Sequence, residues 1–170
     1  MCVSVLFFAL NYSMFIMYKL LLGGKKMETI LIKYHNDKLI KPENIEGKSD
    51  WIDLRAAEDV VLKKGEFKII SLGVSMKLPD GYEAHLSPRS STFKKWGIIQ
   101  VNSVGVIDNS YSGDDDIWGL PVYATRDTEI HLNDRICQFR IMKKQDVLDF
   151  KETDHLSDNS RGGFGSTGVQ

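Results

Sequence analysis

Cysteine is scarce in this 170-residue chain: Cys2 and Cys137 are the only two. Two thiols cannot build a disulfide framework or a four-cysteine zinc site. The four histidines, His35, His85, His131 and His155, stand far apart with no ligand spacing, which argues against a histidine-bound zinc. A basic excess is also missing. Lys plus Arg total 22 against 23 for Asp plus Glu, a net charge of −1, so a general nucleic-acid coat is excluded. The apolar (42%) and charged (26%) fractions suit one folded domain and leave no room for a two-domain enzyme.

The apolar residues are not evenly spread. Eighteen of the first 22 belong to the apolar set, the exceptions being Ser4, Asn11, Ser13 and Lys19. About 20 such residues can span a bilayer. The stretch has no basic start and no clear cleavage site, unlike a secretory signal. Two readings follow for 1–26: a membrane segment, with Lys19, Lys25 and Lys26 keeping the domain cytoplasmic, or an upstream extension of a chain that starts at Met27. The second is expected, because strand-like patterning begins directly after Met27. The 144 residues from Met27 carry 19 basic and 23 acidic side chains. An acidic domain must hold any anion by local geometry. Cys137 has no activating neighbour in sequence and reads as packing, in keeping with a reducing, cytoplasmic setting.

Beyond Met27 the 3.6-residue helical period is nearly absent. Short alternating runs predict strands at Thr29–Tyr34, Glu66–Val74, Tyr82–Ser87, Ile98–Val101, Ile117–Ala124, Glu129–Leu132 and Arg135–Met142. Turn residues separate them, at Lys64-Gly65, Pro79-Asp80-Gly81, Asn109 to Gly113 and Asn133-Asp134. One helical turn or two is expected near Ser90–Lys95, with Ser and Thr as caps. Many short strands in one domain predict an all-β fold, a sandwich, barrel or jelly roll. Residues 154–168 turn to Ser, Asp, Asn and Gly and read as a flexible tail.

Several stretches carry chemistry. Gly163, Gly165 and Gly168 spell G-x-G-x-x-G, but only Val169 and Gln170 follow, so no helix can open there and a dinucleotide fold is excluded. A Gly/Ser/Thr run beside Arg161 can still wrap phosphate, or can be an inert terminus. Pro88-Arg89-Ser90-Ser91 offers a guanidinium fork and hydroxyl donors, or a plain helix cap. Asn102 to Tyr111 places two apolar pieces around Gly105, then Asp108 and an aromatic. A tight hairpin here would expose backbone groups to a planar base, with Asp108 as a water-activating base or as an ordinary turn residue. Asp114-Asp115-Asp116 reads as solvated carboxylates rather than a metal site. Strand alternation predicts Arg135, Cys137 and Phe139 on one face, Ile136 and Gln138 on the other.

In this order the pieces resemble the trimeric dUTPases, most closely those of Gram-positive bacteria and their phages. Five family segments are matched, over about Thr29 to Gly168: Asp53-Leu54-Arg55-Ala56-Ala57; Pro88-Arg89-Ser90-Ser91; Asn102 through Tyr111; Arg135-Ile136-Cys137-Gln138; and Gly163-Phe164-Gly165-Ser166-Thr167-Gly168. The resemblance implies a jelly-roll homotrimer whose three sites are each built from all three subunits. It implies hydrolysis of dUTP to dUMP and pyrophosphate, which limits uracil in DNA and supplies dUMP for thymidylate synthesis. Asp108 then matches the carboxylate that activates the attacking water. Tyr111 matches the ring that leaves no room for a 2′-hydroxyl. Asn102 and the backbone of Val106 and Ile107 match the uracil reader. Arg89, Ser90, Ser91 and Gln138 match phosphate contacts, and Asp53 the carboxylate that holds Mg²⁺ through water. Phe164 matches an aromatic lid, followed by Gly165, Ser166 and Thr167 on the phosphates.

The division implied is a leader (1–26), a β domain (27–153) and a C-terminal lid (154–170). No nucleic-acid partner is expected, and a membrane one only if the leader is real. Two departures stand out: Asp50-Trp51-Ile52 replaces the family's small Ala-Gly pair before Asp53, and Arg161 lies three residues before Phe164 instead of five. The latter puts the usual γ-phosphate role of the tail arginine in question for Arg161. The alternatives are a dCTP deaminase on the same fold, which should lack this tail, and a phage-type regulatory binding protein, for which no large loop insertion is present.

Overall fold

The computed structural model describes residues 28–43, 47, 49–160 and 162. The leader and the tail residues Arg161, Phe164, Gly165, Ser166 and Thr167 lie outside them. Eleven strands follow in chain order: β1 (Leu31–Tyr34), β2 (Ile52–Arg55), β3 (Val60–Leu62), β4 (Phe67–Ser71), β5 (Val74–Lys77), β6 (Tyr82–Pro88), β7 (Ile98–Gln100), β8 (Gly105–Ile107), β9 (Gly119–Ala124), β10 (Thr128–Ile130) and β11 (Arg135–Lys143). The helix α1 (Thr92–Trp96) sits between β6 and β7. The all-β expectation holds, with a jelly-roll arrangement of short antiparallel ladders.

A four-stranded sheet runs β2-β11-β6-β8 and a three-stranded sheet β4-β9-β7; β1-β5 and β10-β3 form separate pairs. Between them the two larger sheets enclose the core. Trp118 of the segment entering β9 meets Phe139 of β11 edge to face, ring centroids 5.3 Å apart at 88°. That geometry adds about 0.5–1.5 kcal/mol to area burial. Ile70, Leu72, Leu86, Ile98, Leu120, Ile130 and Ile136 complete the packing, each under 2% exposed. Every such side chain contributes about 1.5–3 kcal/mol by leaving water.

Three expectations need correction. Glu66–Val74 is not one strand: the chain breaks at Leu72-Gly73 and enters a different sheet as β5. Gly73 has φ +63, and a Cβ there would lie 2.5 Å from Ala57 Cβ, so only glycine fits this corner. Second, Asn102 to Tyr111 does not form a hairpin. β7 pairs with β9 and β8 with β6, so the turn at 101–104 carries the chain from one sheet to the other. Third, a bulge between Arg135 and Cys137 interrupts the alternation of β11. Ile136 and Cys137 are both buried, and the phase shift brings Arg135 to the same cavity as Gln138.

Candidate active site

β2 and β6 flank β11, and that adjacency gathers three of the five segments. In the ladder Gln138 lies opposite Asp53 on one side and Ser87 on the other. Asp53 receives Arg89 Nε on Oδ1 at 2.6 Å and Arg135 Nη1 on Oδ2 at 3.1 Å. Arg89 also reaches the Arg135 carbonyl at 3.4 Å, and Gln138 Nε2 donates to the Pro88 carbonyl at 3.2 Å. Lys41, Trp51 and Arg55 complete a cavity of about 170 Å³ with these side chains. Four cations thus face two carboxylates, Asp53 and Glu43. The crowding shows in Arg55: burial first, then the charge of Arg135, pull its pKa down, against the opposing pull of Asp53 and Glu43. A cavity with this surplus favours an anion.

The loop after β6 is stiffened from below. Buried Thr92 accepts the Arg89 N–H at 3.0 Å and donates its own hydroxyl to the Ile136 carbonyl at 2.9 Å. Ser91 is the residue preceding α1, yet its side chain makes no capping bond. The expected Ser cap is therefore absent, and the exposed hydroxyls of Ser90 and Ser91 remain available to a ligand.

A second cavity, about 420 Å³, lies elsewhere on the molecule, lined by Asn102, Gly105, Val106, Ile107, Asp108 and Tyr111 among others. It shares no lining residue with the first. β8 is the outer strand of its sheet, so one side of its backbone carries unpaired N–H and C=O groups. Asp108 is exposed, and its carboxylate takes no hydrogen bond from the described residues. Tyr111 donates its N–H to the Asp108 carbonyl at 3.0 Å and its hydroxyl to the Ile117 carbonyl at 3.3 Å. The loop beyond is tied down by Ser75, whose hydroxyl donates to the Asp114 carbonyl at 3.2 Å and contacts the His35 ring at 2.8 Å. Asp114 itself pairs with Lys33 at 3.2 Å, while Asp116 accepts the Gly113 N–H.

The family model of the dUTPases matches residues 47–168. The chain belongs to the dUTPase family. The SPbeta prophage-derived deoxyuridine 5′-triphosphate nucleotidohydrolase YosS of Bacillus subtilis is 58% identical to this dUTPase over 141 residues, 83% of this chain and 99% of the relative. The deoxyuridine 5′-triphosphate nucleotidohydrolase of Finegoldia magna is 38% identical, over 84% and 99%. Among solved structures, a dUTPase of Staphylococcus bacteriophage 80alpha with dUpNHpp superposes with a TM-score of 0.67 at 23% identity, covering 83% of this chain and 99% of that one. A phage phi11 dUTPase, in which a structural Mg(II) ion is coordinated, gives 0.65 at 19%, over 75% and 97%.

For this dUTPase the sequence missed Arg55, Arg135, Lys41 and Trp51 as lining of the cationic cavity. The two arginines stand inside quoted family segments, so a signal existed; Lys41 had none. Trp51, noted only as a departure, packs near Arg140, whose guanidinium carbon is 5.8 Å from the ring centre. Cys137 is buried as expected, and burial pushes its thiol pKa well up, so it stays a neutral thiol. Among the described residues no three His, Cys, Asp or Glu side chains cluster as metal ligands, and no helix is long and apolar enough to cross a membrane.

Proposed function

We propose that this dUTPase hydrolyses dUTP in a site shared between copies of the chain, a homotrimer. The base lies against the free edge of β8 and Asn102, with Tyr111 under the deoxyribose. The phosphates meet Arg89, Ser90, Ser91 and Gln138 of another copy. Asp108 accepts a proton from a water whose oxygen bonds to the α-phosphorus. The bond from that phosphorus to the bridging α–β oxygen breaks, leaving dUMP and pyrophosphate. The observation that carries this reading is the Asp108 carboxylate, unpaired among the described residues and set with Tyr111 in a cavity separate from the cationic one. One protomer alone offers a nucleoside site and an anion site with no lining in common. The exposed apolar row Phe67, Ile69, Ile99 and Tyr123 on the β4-β9-β7 sheet supports association between copies.

Mg²⁺ fits Asp53. Each carboxylate oxygen already accepts one arginine and keeps a lone pair, enough for a water-mediated hold on an ion that dehydrates reluctantly. When bound, the ion would offset triphosphate charge. The arginines hold the phosphates, and Asp53 fixes the orientation of Arg89 and Arg135. The β domain spans 27–153, and 154–170 form a lid in which Phe164 covers the base and Gly165, Ser166 and Thr167 approach the phosphates, excluding water. Arg161 stands closer to Phe164 than the family pattern has it, and a γ-phosphate contact from it is the least supported part of the lid. The setting is cytoplasmic.

Pyrophosphate release by the full chain with Mg²⁺, given dUTP, dTTP, dCTP and UTP in parallel, tests the reading. Turnover of dUTP alone is expected. Ammonia rather than pyrophosphate released from dCTP would turn the reading toward a deaminase, and a folded but inactive protein toward the regulatory one.

A further inference from the structure

Gln100 ends β7 at 6% exposure, and its amide makes an unusual pair of contacts. Nε2 donates to the Leu86 carbonyl at 3.2 Å and to Asn102 Oδ1 at 2.9 Å, while Oε1 has no partner among the described residues. A backbone carbonyl can only accept. Leu86 therefore fixes which end of the Gln100 amide faces it, since the reverse would set two acceptors against each other. The same NH₂ group, with its second hydrogen, fixes Asn102 with Oδ1 inward. The Asn102 Nδ2 group is then left to face the cavity that holds Asp108 and Tyr111. Gly105 lies beside the pair: a Cβ there would crowd Leu86 Cβ at 3.1 Å and touch both amide nitrogens at 3.6 Å, an ordinary contact.

We propose that Gln100 is a specificity-determining positioning residue that turns Asn102 donor-outward and so selects a carbonyl over an amino group at C4 of the base. The inference rests on reading Asn102 and β8 as the base reader. Uracil and thymine carry oxygen at C4, cytosine an amino group. A donor presented by Asn102 bonds the first two and meets a second donor in cytosine, leaving both unpaired in a desolvated contact. Thymine is rejected by a different means, collision of its methyl group with backbone, which Gln100 does not control.

The test uses the full chain and the ratios of kcat/KM for dUTP over dCTP and dUTP over dTTP. Gln100→Met keeps the volume and removes the donor. The dUTP/dCTP ratio is expected to fall about tenfold or more, through KM more than kcat, with the dUTP/dTTP ratio unchanged. In an Asn102→Ala background the further Gln100→Met change should have no additional effect on the ratio. An unchanged dUTP/dCTP ratio in Gln100→Met overturns the inference, as does a parallel loss of both ratios, which would mark general damage to the pocket. If Asn102→Ala also leaves the dUTP/dCTP ratio intact, the base-reader assignment falls with it. A collapse in Asn102→Ala alone removes only the role of Gln100. Should Gln100→Met not fold, side-chain amide exchange in the unaltered protein decides. The Gln100 amide protons should exchange slowly, and those of Asn102 fast until dUMP is added. Protected Asn102 protons in the free protein would show the amide turned the other way.

Discussion

The two cavities are made in opposite ways. Around Asp53 the central charges pair within the chain: Arg89 and Arg135 clamp the carboxylate, and Thr92 anchors the loop from the core. Around Asp108 the reverse holds among the described residues, with an unpaired carboxylate, a free strand edge and a half-exposed Tyr111. On the proposed reading, the phosphate grip lies where preorganisation favours binding of a charge, and the reacting base stays uncommitted until substrate arrives.

The largest effect should follow from disabling the uncommitted half. Asp108→Asn keeps size and loses the base; dUTP turnover is expected to fall by about 10³-fold or more, with nucleotide binding retained in equilibrium titration. Retained turnover would remove Asp108 from the chemistry. Truncation after Leu156 takes away the proposed lid, and steady-state rates should drop by about two orders of magnitude; a full rate would leave the tail without a role in catalysis.

A sharper comparison comes from mixing. Arg89→Ala damages the charged cavity and Asp108→Asn the other, so each homo-oligomer should be nearly inactive. Co-refolded together they should recover a substantial fraction of activity, because some shared sites would draw an intact half from each copy. No recovery would mean that both halves act within one chain. The smallest effect concerns Asp134, which accepts the His131 N–H at 2.9 Å and Lys95 Nζ at 3.0 Å. Burial raises its pKa, but these bonds outweigh burial and lower it. Asp134→Asn should cost about 0.5–1 kcal/mol at pH 7. The gap to the unaltered protein should close as the pH falls below about 4, through the depressed folded pKa, since the aspartate then loses its advantage. Denaturant unfolding at a series of pH values reads it directly.

How much of this was legible in the sequence depends on the length of the signal. β6, β9 and β11 are six to nine residues long, enough for alternation to register, and they were found. β2, β3 and β8 have three or four residues and were missed, whereas the equally short β1, β7 and β10 overlap predicted runs, so length is only part of the reason. The corner at Gly73 was missed because its cause is contact with Ala57, sixteen residues away in sequence. Asp53, Arg89 and Gln138 line one cavity and Asn102, Val106, Ile107, Asp108 and Tyr111 the other, while Ser90 and Ser91 line neither; this division is a property of sheet order. Lys41 reaches its cavity because Asn133, in a left-handed turn at φ 73, accepts the Ile40 N–H and donates to the Lys38 carbonyl. Nothing near Lys41 in the sequence announces that tether.

The hydroxyl of Thr92 has a consequence for timing. By joining the Arg89 amide to the carbonyl of fully buried Ile136, it ties the loop proposed to meet the phosphates to the buried part of β11. The Arg89 amide should therefore exchange with deuterium only as rarely as the β11 ladder opens, while the Asp108 and Tyr111 amides exchange by local fluctuation. On the proposed reading the grip on phosphate is then ready at every encounter, and the wait between collision and reaction is set on the other face.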